Sequence, residues 1–432
     1  MDQEMARRWL AAHGVGDPPP SPTIEALRAV ADDPAAVEAF WARTTRTPLV
    51  ERDPTSATHR LLTFVWRQQA PDAHGVEVVP LPRHVHATAL TSGLMADHTG
   101  ASMPLRRIGA SDVWAATLRV RADLRTVYQL RELTGDPAAP RASIGTFDAH
   151  VDPLNPDRFP PPARVPVGDA AYTVPESVVE LPDAPRRASL RGGPLSGRTH
   201  EESFTSVLFP STRRVWVHVP EGYAADGPPL GVLVLHDGQH WMAHTDVAGT
   251  LDRRVAAGAA PLVLVAVESR RDLPGDLGCG EEFTRSVVEE LLPGVRARWN
   301  VIDDPARTIV AGQSWGALNA LFTGLRHPDV VGNVIAQSGS FWWGPDFGTG
   351  PEFHGGHGAL MHEIATRPRL PLRVHLEVGL LEGDQVPVNR HLRDVLLAKG
   401  YDTGYAEFHG QHSWLCWQHG IVDALDSVTR DW

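Results

Sequence analysis

The run Arg307-Thr-Ile-Val-Ala-Gly-Gln-Ser-Trp-Gly-Ala-Leu-Asn-Ala-Leu321 sets an apolar strand, a Gly-x-Ser-x-Gly turn and an apolar helix end to end. That order is a nucleophile elbow, and it constrains the fold to a sheet with helices packed against it. A serine hydroxyl is a weak nucleophile at its free pKa, so it must be presented to a base and to oxyanion-stabilising donors together. A sharp strand-to-helix turn lifts the Ser314 side chain above the sheet and faces the backbone N–H of Trp315 toward the developing oxyanion. Gly312 and Gly316 are expected to permit the turn, since side chains there would strike the neighbouring strand and helix.

The second half of the chain supplies the sheet that the elbow needs. Apolar runs at 214–219, 230–235, 262–267, 308–310 and 373–378 read as strands, with a helical stretch over 281–298. Continuous apolar strands separated by helices indicate a mostly parallel sheet covered on both faces. Upstream the texture differs. Short runs at 60–67, 75–79, 112–120 and 125–130, separated by proline, glycine and aspartate, read as a small β-sandwich. The expected organisation is a helical arm over 1–45, a sandwich domain over 46–180, a linker over 181–201 and an α/β-hydrolase catalytic domain over 202–432.

Several classes of function are disfavoured by composition. A formal net charge of -12 over 432 residues argues against general binding to nucleic acid or an anionic membrane. Cys279 and Cys416 are too few for a disulfide framework and read as free thiols. The start of the chain lacks an apolar signal region, and no run approaches the roughly 20 apolar residues of a span, so a cytoplasmic protein is expected. No metal or cofactor is expected. His240 and His244 are four apart but lack the intervening glutamate of a zinc protease, and His354-Gly-Gly-His357 reads as a loop.

In an α/β-hydrolase the partners follow the nucleophile in the order acid, then base. The strand at 373–378 leads into Gly379-Leu-Leu-Glu-Gly-Asp384, which offers Glu382 as the preferred acid and Asp384 as the alternative. A later strand at 405–408 runs into His409-Gly-Gln-His412, which offers His412 as the base and His409 as the fallback. Leu233-Val-Leu-His-Asp-Gly-Gln-His-Trp241 ends an earlier strand in a turn, and the backbone N–H of Gln239 is assigned as the second oxyanion donor beside Trp315.

At these positions the chain resembles the enterochelin (ferric enterobactin) esterases. The Asp-Gly-Gln-His-Trp turn ending at Trp241, the elbow Val310–Leu318, Gln337-Ser-Gly-Ser-Phe-Trp-Trp343 and Gly410-Gln-His-Ser-Trp-Leu-Cys-Trp417 carry the resemblance. In the first half Thr47-Pro-Leu-Val-Glu51, Ser111-Asp-Val-Trp114 and Asp152-Pro-Leu-Asn-Pro156 are similar to family segments that ordinary hydrolases lack. The resemblance implies an Ig-like first domain and hydrolysis of the serine ester bonds of a catecholate trilactone siderophore, with or without Fe3+. It also implies Ser314 as nucleophile, His412 as base and Glu382 at the acidic position. The chain departs from the family pattern at Trp315, Ala317 and Gly280.

A ferric tris-catecholate is a trianion with aromatic faces, which suits arginines and tryptophans at the mouth of a cleft. Arg270 and Arg271 are the candidate anion contacts, and Trp241, Trp342 and Trp343 the candidate aromatic walls. Rival readings are a carbohydrate esterase or acyltransferase on the same scaffold, a biosynthetic esterase for a related natural product, and a siderophore-binding protein without turnover.

Overall fold

The computed structural model describes residues 19–79, 103–134, 149–159, 175–185, 196–269, 274–344, 358–383 and 385–432. The expected anion contacts Arg270 and Arg271, the alternative acid Asp384, the histidines 354 and 357, and the first part of the arm lie outside the described residues.

Two short helices open the described chain, and each has the cap its sequence announces. Ser21 accepts from Ile24 N–H ahead of Pro22–Arg28, and Asp33 accepts from Ala35 N–H ahead of Pro34–Arg43; both helices begin on a proline. Their apolar faces, Ile24, Leu27, Phe40 and Trp41, pack on Val65, Val113 and Ala115 of the sandwich.

Among the described residues eight strands build the first domain: β1 (Leu49–Arg52), β2 (His59–Arg67), β3 (Gly75–Val79), β4 (Met103–Arg107), β5 (Val113–Arg121), β6 (Arg125–Leu133), β7 (Arg158–Phe159) and β8 (Glu176–Glu180). They follow one another in the order β1-β2-β5-β4-β3-β6-β8-β7, and all the pairs are antiparallel. β4 turns the corner between the two layers. Its last residues, Arg106 and Arg107, pair with β5, while Met103 to Leu105 pair with β3. Inward residues from both layers, including Phe64, Trp114, Val78 and Tyr128, then share one core.

The second sheet contains β9 (Arg198–Ser206), β10 (Ser211–Val219), β11 (Gly231–Leu235), β12 (Leu262–Val267), β13 (Thr308–Gln313), β14 (Asn333–Gln337), β15 (Arg373–Gly379) and β16 (Asp402–Phe408), in the order β16-β15-β14-β13-β11-β12-β10-β9. β11 to β16 are parallel, and β9 and β10 are antiparallel additions at one edge. This is the α/β-hydrolase arrangement. β9 begins at Arg198, within the stretch expected to be linker. The central strands β11, β12, β13 and β14 are buried throughout, and each fully buried Val or Leu contributes roughly 1.5–3 kcal/mol.

The expected helix over 281–298 is interrupted. Glu281–Arg285 and Leu292–Arg298 are α-helical, but Ser286–Leu291 widens into a π-helical turn. Pro293 has no N–H to give to the carbonyl one turn earlier, and its ring crowds that carbonyl; a wider turn accommodates both. Val127, Phe159 and Val178 of the first domain pack into the same apolar cluster as Trp241, Trp414 and Trp417 of the second. Among the described residues no helix is long and apolar enough to cross a membrane.

Candidate active site

β13 is buried from end to end and passes into the helix Trp315–Arg326 with one residue between them, Ser314. Its backbone sits at φ 55°, ψ -114°, a conformation an L residue adopts only when its surroundings hold it there. The hold is visible. Ser314 N–H donates to Gln337 O at 3.0 Å, and Ser314 O accepts from Leu318 N–H at 3.2 Å and Ser340 N–H at 3.1 Å. The two glycines of the pattern are unequal. A Cβ on Gly312 would lie 2.2 Å from Gly316 O, whereas one on Gly316 would meet Asp237 Oδ2 at 3.3 Å and the His236 Cβ at 3.4 Å.

The expected acid and base follow β15 and β16, the two strands beyond β14 in the sheet. After β15 the chain turns back through Glu382 N–H to Gly379 O at 3.1 Å, which sets the Glu382 carboxylate against the strand end. Its Oε1 accepts from Gly379 N–H and from Ser338 Oγ, each at 2.7 Å, and its Oε2 lies 2.8 Å from His412 Nδ1. Both residues are buried, Glu382 at 2% exposure and His412 at 6%. A carboxylate that holds Nδ1 in this way fixes the ring and leaves Nε2 for proton transfer. His409 is turned elsewhere, with Nδ1 3.2 Å from Asp123 Oδ1.

Two residues that sequence reasoning left without a role complete this corner. Ser338, at φ 51°, donates to Glu382 and accepts from Trp417 Nε1 at 2.9 Å. The Trp417 ring stands edge-on to His412, with centroids 4.7 Å apart and planes at 81°. Both belong to segments already singled out, but their meeting spans 79 positions of chain and has no local signature.

The Ser314 hydroxyl is not hydrogen-bonded to the imidazole in this conformation; it lies 3.3 Å from Ser340 Oγ. The expected oxyanion donors sit on neighbouring strand ends, since β11 and β13 pair in parallel. Trp315 and Gln239 both fall in first helical turns, where N–H groups have no acceptor within the helix. The Gln239 side chain is locked to Ser269, with Nε2 donating to Ser269 O at 2.8 Å and Oε1 accepting from Ser269 N–H at 3.1 Å. Asp237, at φ 57°, starts that turn, and burial pushes its carboxyl up to about 7, opposed by the Ser269 hydroxyl and helped by the nearby Asp276 charge.

Trp241 corrects one expectation. It is no cleft wall: the ring is fully buried, and its Nε1 donates to Gln313 Oε1 at 2.9 Å. The left-handed turn at Asp237 rotates the short helix Gly238–His244 so that Trp241 faces the sheet and Trp414. From Gln313 the buried chain of hydrogen bonds continues to Gln337 Oε1 at 2.9 Å, then from Gln337 Nε2 to Glu377 Oε1 at 2.5 Å and Trp417 O at 2.9 Å. Satisfied networks of this kind fix strand ends against one another. Trp342 and Trp343 are partly exposed, and with Trp315 they form an edge-to-face group beside Ser314, with centroids 5.5 and 6.4 Å from that of Trp315.

The geometry agrees with what comparison with known proteins finds. A family model described as "Putative esterase" matches residues 206–428, more than half of the chain, and one described as "Enterochelin esterase, N-terminal" matches residues 61–190. The iron(III) enterobactin esterase of Dickeya dadantii is 28% identical, the match covering 90% of this chain and 92% of that protein. The iron(III) salmochelin esterase of Escherichia coli O6:H1 is 26% identical over 89% of this chain and 92% of its own. The solved structure of ferric enterobactin esterase from Salmonella typhimurium matches with a TM-score of 0.73 at 26% identity, covering 91% of this chain and 98% of that one. The enterobactin esterase from Shigella flexneri, solved in the presence of enterobactin, gives 0.70 at 25% identity with the same coverage. With a serine elbow in an α/β-hydrolase sheet, a sandwich domain ahead of it and matches to both parts, this chain is an esterase belonging to the enterochelin esterase family.

Proposed function

We propose that this esterase hydrolyses the ester bonds of a catecholate trilactone siderophore of the enterobactin type, in its iron(III) complex, and so releases iron inside the cell. The observation that carries the chemistry is the buried Glu382–His412 pair after β15 and β16, on the side of the sheet that β14 separates from the Ser314 elbow. The substrate class is supported by the relatives, whose names are those of esterases of iron(III) enterobactin and iron(III) salmochelin.

In this reading Ser314 Oγ rotates from Ser340 toward His412, whose Nε2 takes the proton as the oxygen attacks an ester carbonyl. In free enzymes such bonds are often long or poorly aligned and tighten in the substrate complex. The N–H groups of Trp315 and Gln239 receive the oxyanion; the imidazolium then returns its proton to the departing serine hydroxyl of the siderophore. Water, deprotonated by the same imidazole, discharges the acyl-enzyme. Glu382 holds the ring and stabilises its charge. Trp343, Trp342 and Trp315 offer faces for the catechol rings, and Arg270 and Arg271 are the proposed contacts for the anion. Each ester cut lowers the effective concentration of catechols around iron, which weakens chelation without any contact to the metal.

The test is release of dihydroxybenzoylserine and its oligomers from ferric and iron-free enterobactin. Turnover is expected with the native chain and lost with Ser314→Ala. Undiminished release by that variant would overturn the assignment.

A further inference from the structure

The first domain touches the loops of both the proposed acid and the proposed base. At the base, the start of β6 runs beside the loop that follows β16. Arg125 N–H donates to His409 O at 2.9 Å, and Arg125 and Gly410 form a parallel bridge. The fit is close: a Cβ on Gly410 would lie 2.7 Å from both Arg125 O and Cys416 Sγ. Thr126 Oγ1 then donates to Gln411 Oε1 at 2.6 Å, with Thr126 fully buried and Gln411 at 1% exposure. Gln411 immediately precedes His412. At the acid, Leu381 immediately precedes Glu382, and its side chain is buried in the sandwich core with Leu124, Tyr128 and Val179. Leu381 N–H also donates to Gly410 O at 3.0 Å, so the two loops are tied to each other as well as to the first domain.

Holding an imidazole square to a carboxylate demands tolerances of about 0.5 Å and 10–20°, which a loop attains only if its neighbours lock it. The parallel sheet supplies one side of that lock through Ser338 and Gly379. The other side comes from β6. We propose that Thr126 is a positioning residue for the esterase reaction: through Gln411 it sets the backbone of His412, making the β-sandwich part of the catalytic apparatus. The proposal rests on the reading of Glu382 and His412 as acid and base.

The test uses the full chain and two substrates, ferric enterobactin and 4-nitrophenyl acetate. Thr126→Val removes the donor at constant shape. It is expected to lower kcat on both substrates by about 10- to 100-fold, the scale of a misplacement near 1 Å, and to leave KM within about twofold. Among the described residues, the carboxyl group in hydrogen-bond contact with His412 is that of Glu382. Loosening that contact stabilises the imidazolium less, so the acidic limb of kcat against pH is expected to move to lower pH. Thr126→Ser, which restores the hydroxyl, is expected to recover both kcat and the limb. A merely docking role for Thr126 would change thermal stability but neither readout.

Wild-type kcat and pH limb in a folded Thr126→Val protein would overturn the proposal, as would a loss confined to KM. Should that variant fail to fold, Asp123→Ala, which removes the acceptor of His409 Nδ1, tests the same brace from its partly exposed end. A several-fold lower kcat with the same limb shift is expected, and no change would overturn it. His412→Ala separates the two assignments. If it keeps turnover, the base has been misassigned; if it is inactive while Thr126→Val is normal, the brace alone fails.

Discussion

The hydroxyls of Ser314 and Ser340 lie 3.3 Å apart, so the proposed nucleophile rests against a second serine and not against the imidazole. In the proposed reaction Ser314 Oγ turns from Ser340 toward His412, which breaks that contact. Its strength therefore counts against the reaction, within the roughly 0.5–1.5 kcal/mol of an ordinary hydrogen bond. Ser340→Ala is expected to be labelled by a fluorophosphonate about two- to tenfold faster than the native chain. Slower labelling would mean that Ser340 assists the attack.

Glu382→Gln keeps the shape of the proposed acid and replaces its carboxyl with an amide. The amide cannot reproduce the present set of acceptors, which take Ser338, Gly379 and His412 together. A drop in kcat on the order of 10³ to 10⁴ is expected, the size seen when the analogous carboxylate of a serine protease triad is made an amide. A loss below tenfold would show that the imidazole is oriented without it.

Trp315 has two proposed roles, one for its backbone N–H and one for its ring, and a substitution separates them. Trp315→Ala leaves the N–H in place and removes the ring that meets Trp342 and Trp343. KM for a catecholate ester is expected to rise about two- to tenfold, in line with the worth of an aromatic pair, with little change for 4-nitrophenyl acetate. Equal losses on both substrates would place the ring's contribution in packing alone.

Stability is expected to fall on the acid side of neutrality. Burial holds His236, His244, His375 and His409 down to about 4, and His240 down to about 3, although Asp123 works in the opposite sense on His409. An unfolded chain protonates these groups near 6.5, while the folded one stays neutral there. Between about 6.5 and 4 the unfolded state thus binds more protons, and stability present above that window is lost as pH falls through it. A thermal midpoint that stays level from pH 7 to 4.5 would contradict this.

The elbow was legible because its signal is local: an apolar run, a fixed spacing and an apolar helix. Even so, the pattern gave Gly312 and Gly316 equal weight. Only packing separates a 2.2 Å overlap with backbone from a 3.3 Å contact with a side chain. Gly312→Ala is accordingly expected to cost more than about 3 kcal/mol and Gly316→Ala well under half of that, by urea unfolding. The acid and base candidates were legible from chain order, because each follows a recognisable strand. β14 was not, as its apolar run Val334-Ile-Ala336 is too short to stand out between polar neighbours. Trp241 misled for a physical reason. A tryptophan among glutamine and histidine reads as a surface ring, and the phase of its helix depends on a left-handed residue that composition does not disclose.

One short ribbon, Ser338 to Trp343, holds the Glu382 carboxylate at one end, meets the Ser314 hydroxyl in its middle and carries two indole rings at the other, with Trp343 N–H closing back on Ser340 O at 3.1 Å. A ligand that displaces those rings pulls on the same turn that seats Ser340. Recognition and reactivity then share a lever, and selection for a new siderophore through this stretch would retune the speed of cleavage along with the choice of cargo.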